Sequence, residues 1–391
     1  MRKLFCPLIL VFWFMGYKST SELTNYMGQA YPDAIPVVFA PDVISVKGRF
    51  EHGISFSPDS QEFAFGVLNE DGSIGEIWHS KKINAKWTEP EIFQPLKGKS
   101  VFLPYFTPDD KSLLFAQSIP GTNDGSSDIW IIEKINDSWG SLKKMQAPIR
   151  SKSREANASM TNEGTIYFSS NRNCEGKENC FTADLFYSLG DNTYQNVEAI
   201  SALNSLNDEE SVFISPKEDY ILFCRFTDNI TGVDLYIRYR DSNKNWLAPI
   251  LLDAAINTNN WERRPFVTND NKFLFFTQLQ IGATGLTESD IFWVNTSKIF
   301  KPFVDQPLSD VTAQVGEKFE ITIPLDYFKD IDNELLKVSL DKNELDWLEF
   351  DAKKRKLSGV PRLAGEYKVT FSAVDTFLNR TRDTVILRVK K

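Results

Sequence analysis

Five segments of this chain repeat one another, and that repetition restricts its fold more than any other feature. Each runs from a short strand into a turn, at Phe56–Asp59, Phe106–Asp109, Met160–Glu163, Ile214–Lys217 and Val267–Asp270. An aromatic-rich strand follows each turn: Phe63–Val67, Leu113–Ala116, Ile166–Ser169, Ile221–Phe226 and Phe273–Phe276. After a variable polar loop an acidic residue leads a third strand, at Glu76, Asp128, Asp184, Asp234 and Asp290. The turns recur about every 50 to 54 residues, a period that signals blades or solenoid turns.

A fourth strand per unit is marked by a Trp followed by a Pro: Trp87 with Pro90, Trp139 with Pro148, Trp246 with Pro249. Four short antiparallel strands joined by turns describe a propeller blade. A lone blade cannot bury both faces, so blades must stack and the set must close or be capped. The fifth repeat stops after its third strand, near Ile299, while a strand-like run at 35–40 stands alone before the first repeat. That run is expected to supply the outer strand of the last blade, closing the ring without a free sheet edge. The expected architecture is all-β: a five-bladed propeller within residues 24–300, followed by a small Ig-like β-sandwich over 306–391. A six-bladed ring is the variant and needs a blade the sequence does not display. The sandwich is read from alternating short strands around Val311, Phe319–Ile323, Leu335–Leu340, Trp347–Phe350, Tyr367–Ala373 and Thr384–Val389.

Arg2 and Lys3 precede an apolar run, Leu4–Met15. It is too short to span a bilayer and suits a signal-peptide core, so residues 1–18 are expected to be removed on export. No later segment is long and apolar enough to cross a membrane. Cys174 and Cys180 flank a polar loop and are expected to pair in an oxidising compartment, with free thiols as the alternative. Cys224 lies in an aromatic strand and reads as a buried thiol. The net charge of −9 argues against a nucleic-acid partner, which needs a basic footprint.

The turn, the acidic-Ile-aromatic strand and the Trp-x-x-Pro strand resemble the TolB-type, WD-like propeller repeats of bacterial envelope proteins. Asn204 with Glu209, and Asn257 with Glu262, match that family's Asn-containing link before an inner-strand Glu. The second repeat departs from it, with Lys99 and Ser100 where the others place Glu. The C-terminal string Val315, Gly316, Phe319, then Phe328, Asp330, Asp332, then Trp347, Leu348, Phe350, then Leu357–Pro361, Gly365, Tyr367, Ala373 and Asp375 is similar to a cadherin-like sandwich of the Putative Ig or dystroglycan type. The resemblance implies a spacer or adhesive module on an exported protein.

The chain has two histidines, His52 and His79, and neither sits in a nucleophile motif, which disfavours Ser-His-Asp chemistry. Glu51, Glu155, Glu209 and Glu262 begin inner strands. If the blades superpose, these four, with His52, Arg263 and Arg264, crowd one mouth of the channel as a cation or basic-ligand site. The plainer reading is a set of carboxylates that fix the loops between blades. Asp59, Asp109 and Asp270 read as turn residues. Asp330, Asp332, Glu334 and Asp375 are spaced like a calcium-binding corner of a cadherin-type module. The functional expectation is an exported, non-catalytic binding scaffold of the bacterial envelope, periplasmic or at the cell surface, with a protein or glycan partner. The alternative is a carbohydrate-active hydrolase or lyase with its carboxylates in the propeller funnel.

Overall fold

A computed structural model describes residues 26–391 except 71, 119–125, 137, 178–179, 181, 191–193, 229–231, 284, 333–334 and 342–344. The expected signal segment and Glu334 lie outside the described residues. Two compact units are distinguished, Met1–Tyr31 and Pro32–Lys391. In the first, the Tyr26 and Tyr31 rings meet edge-on at 6.4 Å.

The second unit opens with β1 (Val37–Val38), followed by five strand sets, each antiparallel within itself; the first and fifth are joined into one sheet by a parallel pair, Phe50 opposite Ser289. The first comprises β2 (Phe50–Phe56), β3 (Glu62–Leu68), β4 (Gly75–Ile83) and two short strands on β4, β5 (Lys86–Trp87) and β6 (Glu91–Ile92). The second is β7 (Val101–Phe106), β8 (Ser112–Ser118), β9 (Ser127–Ile135) and β10 (Ser138–Lys144). The third is β11 (Glu155–Met160), β12 (Ile166–Ser170), β13 (Asp184–Ser188) and β14 (Glu198–Ala199). The fourth is β15 (Glu209–Ile214), β16 (Tyr220–Asp228), β17 (Gly232–Tyr239) and β18 (Ile250–Leu251). The fifth is β19 (Trp261–Val267), β20 (Phe273–Gly282) and β21 (Gly285–Asn295). β1 pairs antiparallel with β21, Val37 opposite Trp293 and Val38 opposite Phe292, and completes the fifth set.

The leading strands touch in a cycle: β2 meets β7, β7 meets β11, β11 meets β15, β15 meets β19, and β19 returns to β2. A closed ring of twisted sheets buries both faces of each set, which is why the second strands are almost wholly apolar and sealed, as at Phe63, Phe65, Phe115, Phe168, Phe223 and Phe275. The turn residues behave as their chemistry predicts. Ser57, Thr107 and Thr268 donate to Asp59, Asp109 and Asp270 at 2.6–2.7 Å, and each carboxylate accepts from the N–H two residues on, in the same turn, at 3.0–3.2 Å.

The sandwich follows: β22 (Phe303–Val304), β23 (Val311–Gln314), β24 (Phe319–Thr322), β25 (Phe328–Lys329), β26 (Lys337–Leu340), β27 (Leu348–Asp351), β28 (Lys356–Gly359), β29 (Gly365–Val374) and β30 (Arg380–Lys390). One sheet runs β23-β30-β29-β26 and the other β24-β28-β27, around Tyr327, Leu357, Val369 and Phe371. β22 precedes the expected start of the sandwich at 306 and pairs with β25. The junction is closely packed. Tyr239 stacks on Phe303 with centroids 4.6 Å apart, and Asp305, fully buried, accepts from Ser242 N–H (2.7 Å) and Oγ (2.6 Å) and pairs with Lys329 (3.2 Å). No described helix is long and apolar enough to cross a membrane.

Candidate ligand-binding funnel

Every leading strand breaks register with its neighbour once, at His52/Ile54, Phe102/Tyr105, Ala156/Ser159, Glu210/Phe213 and Arg263/Phe266. A left-handed residue sits at each break: Gly53, Leu103, Asn157, Ser211 and Arg264, with φ between 49° and 60°. These are β-bulges, which re-aim side chains. Non-glycine residues rarely adopt this conformation, and holding four of them there costs about 1–3 kcal/mol each. All five bulge residues line the central space with Tyr105, Phe213 and Phe266. The same three aromatic rings also line the space on the turn side. They are buried and divide the channel, so the bulge side is a bowl with an aromatic floor.

Two residues before four of the five bulges stands the expected glutamate. Glu51, Glu155, Glu209 and Glu262 are fully buried; they are sealed in their loops and are not presented at an open mouth. Glu155 accepts from Ser151 N–H (3.1 Å) and the Ser151 hydroxyl, Ser170 Oγ (3.1 Å) and Arg172 (3.3 Å). Glu209 accepts from Ser205 N–H (3.0 Å), the Ser205 hydroxyl and Arg225 (2.7 Å). Glu262 accepts from Thr258 N–H (3.1 Å), Thr258 Oγ1 (2.7 Å) and Gln278 (3.1 Å). Glu51 accepts from Arg49 Nε (2.5 Å) and Val46 N–H (3.3 Å). In three of the four, the carboxylate captures the hydroxyl and N–H of the residue four places earlier, locking the loop between sets; Glu51 does so through Arg49 and the Val46 N–H. Burial raises all four carboxyls, and it pushes Glu51 and Glu262 up to about 7. In the second set the bulge register puts buried Val101 at this position, so no lock forms there. The matching asparagines tie neighbouring strands in a similar way. Asn204 and Asn257 each accept from and donate to the backbone of the third strand, at Leu185 and Leu235 (2.7–3.0 Å).

The charges that do converge come from the neighbouring positions. Glu210 on β15 is buried and accepts from Arg154 on one side and Arg263 on the other, one carboxylate oxygen to each. Arg264 lies beside this bridge, its Cδ 3.4 Å from where a Gly53 Cβ would stand. Its Nη1 is sealed with no partner. Burial, then the neighbouring Arg263, lowers the Arg264 guanidinium to about 9, so it stays charged at neutral pH. His52 is fully buried against Gly66 and Phe102, and neither ring nitrogen has a partner. Burial first, and Arg264 second, hold it well below the usual imidazole range, so it is neutral. Ser211 Oγ and Gln117 Oε1 are also buried without an oxygen or nitrogen partner. Thus Arg263, Arg264 and His52 of the expected set come together, and the four glutamates do not join them. Arg154 and Glu210 were not expected from sequence. The available signal was a second charge beside a lock glutamate: Arg154–Glu155, Glu209–Glu210 and Glu262–Arg263–Arg264.

Elsewhere, Cys174 and Cys180 form a disulfide and Cys224 is a buried free thiol. His79 is tied to Glu62 at 2.9 Å. In the sandwich, Asp330 has both carboxylate oxygens sealed without a partner. Burial, then Asp332 and Asp375, raises its carboxyl. Asp375 is taken up by Asn379, through N–H at 2.7 Å and Nδ2 at 2.5 Å. Among the described residues no three His, Cys, Asp or Glu side chains are placed to hold a metal ion, and Glu334 of the expected calcium set lies outside them.

Residues 301–390 match the family model described as Putative Ig domain, in agreement with the sandwich. A comparison with curated proteins finds no match. Among solved structures, a thermostable family-43 glycoside hydrolase aligns at 12% identity and TM-score 0.42, over 63% of this chain and 89% of that one. A second glycoside hydrolase aligns at 9% and 0.43, over 67% and 91%. The β-propeller domain of the Trilobed protease from Pyrococcus furiosus aligns at 12% and 0.34, over 86% and 81%. At these values the likenesses carry nothing about chemistry; what the chain displays is an all-β fold of ringed strand sets followed by an Ig-like module.

Proposed function

We propose that this protein is an exported binding scaffold of the bacterial cell envelope, periplasmic or at the cell surface. In this reading the propeller, of TolB type with five blades, presents a protein- or glycan-binding bowl, and the sandwich holds that bowl in place. The observation that carries it is how the funnel's carboxylates are used. Glu155, Glu209 and Glu262 have both oxygens taken up in loop locks, Glu51 has one oxygen in its lock and the other sealed without a partner, and Glu210 has an arginine on each oxygen. The residues lining the bowl bring Arg264 to an aromatic floor and include no carboxylate, a lining suited to recognition. The disulfide supports export, because such bonds persist in oxidising compartments. The packed junction at Tyr239, Phe303 and Asp305 supports a rigid mount.

A carbohydrate-active enzyme is the second reading. A hydrolase needs two carboxylates about 5–9.5 Å apart, and Glu210 would have to release its arginines to serve as one. The deciding experiment screens the purified mature protein against envelope polysaccharides for both retention and cleavage. Retention without new chain ends supports the scaffold. Cleavage that disappears in Glu210→Gln replaces it with the enzyme.

A further inference from the structure

We propose that the closing seam of the ring, between the fifth and first strand sets, is a pH-sensitive latch, held shut in acid and released as the medium passes above neutrality. It works in this way whatever the bowl binds.

Between the other sets the chain itself runs from the end of one set into the leading strand of the next. Here the chain leaves β21 for the sandwich. The fifth set is tied to the first through β1, which holds β21 by two residue pairs, and through one parallel pair, Phe50 with Ser289. Across the seam the Ser289 hydroxyl donates to the Glu51 carbonyl, Gly53 N–H to Thr277 Oγ1 (2.8 Å) and Ile291 N–H to Ser45 Oγ (3.2 Å). The link 39–49, from β1 to β2, therefore decides whether the ring stays closed, and the Glu51 side chain pins that link.

Glu51 does so less completely than its counterparts. Ser151, Ser205 and Thr258 each give their glutamate both an N–H and a hydroxyl. The residue that gives Glu51 its N–H is Val46 (3.3 Å), which has no hydroxyl to add. Arg49 reaches the same oxygen, Oε1 (2.5 Å), and Oε2 is sealed with no partner on a fully buried side chain. The charged groups that act on this carboxyl are Arg49, on the link, and Asp290, next to Ser289 on the facing strand. The Asp290 carboxyl is itself raised, by burial and then by Glu288. An ionised Glu51 thus puts an unpartnered charge into the seam and sets it against a second carboxyl. A buried charge is costly unless paired and hydrogen-bonded, and opening the link gives that oxygen to water. Burial foremost, with Arg49 opposing and Asp290 adding, pushes the Glu51 carboxyl up to about 7, whereas released it titrates at about 4.3. The closed seam therefore holds the proton more tightly, and a rise in pH through this window favours the open form.

The test is hydrogen exchange of the full mature chain, read by mass spectrometry with exchange times scaled for the intrinsic rate. Between about pH 5.5 and about pH 7.5, peptides covering 39–50 and 286–295 are expected to lose about tenfold in protection, and the links pinned by Glu155 and Glu209 distinctly less. Glu51→Gln removes the ionisation and is expected to leave the seam equally protected at both pH values. Val46→Thr, of nearly the same shape, supplies the hydroxyl that the other links carry and is expected to reduce the loss. It decides the matter should Glu51→Gln fail to give a cooperative melt. Seam protection that falls no further than that of the Glu155 and Glu209 links overturns the proposal. So does a loss as large as the parent's in Glu51→Gln, or in Val46→Thr where that variant decides.

Discussion

Val37 lies directly opposite Trp293, so a strand from near the start of the described chain is hydrogen-bonded to the last strand of the fifth set. Phe39 N–H donates to the Ile291 carbonyl at 2.8 Å, and the Phe39 ring, fully buried, packs edge-on against Phe275 and Trp293 at 5.0 and 5.3 Å. The ring is thereby fastened by backbone pairing and by an aromatic plug at the same place. Phe39→Ala empties that plug and is expected to cost about 3–5 kcal/mol. A urea melt followed by tryptophan fluorescence measures it. A loss below about 1 kcal/mol shows that the seam does not depend on Phe39.

The loop locks make a prediction about pH. Glu262 and Glu51 hold their protons up to about 7 in the folded state, because burial penalises the carboxylate. The unfolded chain gives the same protons up in the ordinary carboxylate range. Between those limits the folded state binds more protons, so stability falls as pH rises through the window. Glu262→Gln removes one such group, and its stability is expected to depend less steeply on pH between about 4.5 and 7. Denaturant midpoints at several pH values decide it; parallel curves for the two proteins contradict the assignment.

The periodic parts of this fold were legible in the sequence because they are local. Turn aspartates, apolar second strands and the Asn–Glu links each act within one repeat, and Asp59, Asn204 and Glu209 make the contacts their side chains suggest. The bowl was not legible for a physical reason. A bulge adds one residue and reverses which face the following side chains take, and nothing in Gly53, Leu103, Asn157, Ser211 and Arg264 as residue types announces a shared left-handed backbone. The glutamates expected at an open mouth are held in the loops by their hydrogen bonds to Ser151, Ser205 and Thr258 and, for Glu51, to Arg49, while Glu210 and Arg263 meet across the strand sets. The Arg154–Glu210–Arg263 bridge joins three repeats, so no single repeat displays it.

That bridge predicts a strong single-site effect. Glu210 is buried between two guanidinium groups, and Glu210→Ala leaves Arg263 without its counter-charge and Arg154 with Asp208 alone. Breaking a buried ion pair from one side costs about 3–5 kcal/mol. Arg263→Met in the Glu210→Ala background removes one orphaned cation and is expected to restore part of the loss. A double-mutant cycle on unfolding midpoints reads the coupling, and strictly additive losses refute the bridge.

At the junction, Asp305 is the shared anchor of both modules. Asp305→Ala deprives Ser242 of two acceptors and Lys329 of its counter-ion. Hydrogen bonds to a charged group are worth about 1.5–3 kcal/mol each. The expected phenotype is local, with limited proteolysis cutting between the modules around residue 300 much faster than in the parent chain. An unchanged digestion pattern argues that Tyr239 and Phe303 hold the junction without Asp305.

Cys174, Cys180 and Cys224 give a chemical test of the third and fourth strand sets. The disulfide closes a short loop, with a sequence separation of 6. In the chain-entropy account a loop of that size contributes about 2 kcal/mol, so reductant is expected to lower the unfolding midpoint modestly and not abolish folding. Cys224 is buried and has its thiol raised by desolvation, which suppresses the reactive thiolate. With the export segment removed, the native chain should therefore resist alkylation. Denaturation without reductant should expose one thiol to labelling, and denaturation with reductant three. Three labelled thiols before any reduction contradicts the disulfide and withdraws its support for an oxidising compartment. One thiol labelled in the native state instead shows that the second strand of the fourth set opens where the structure seals it.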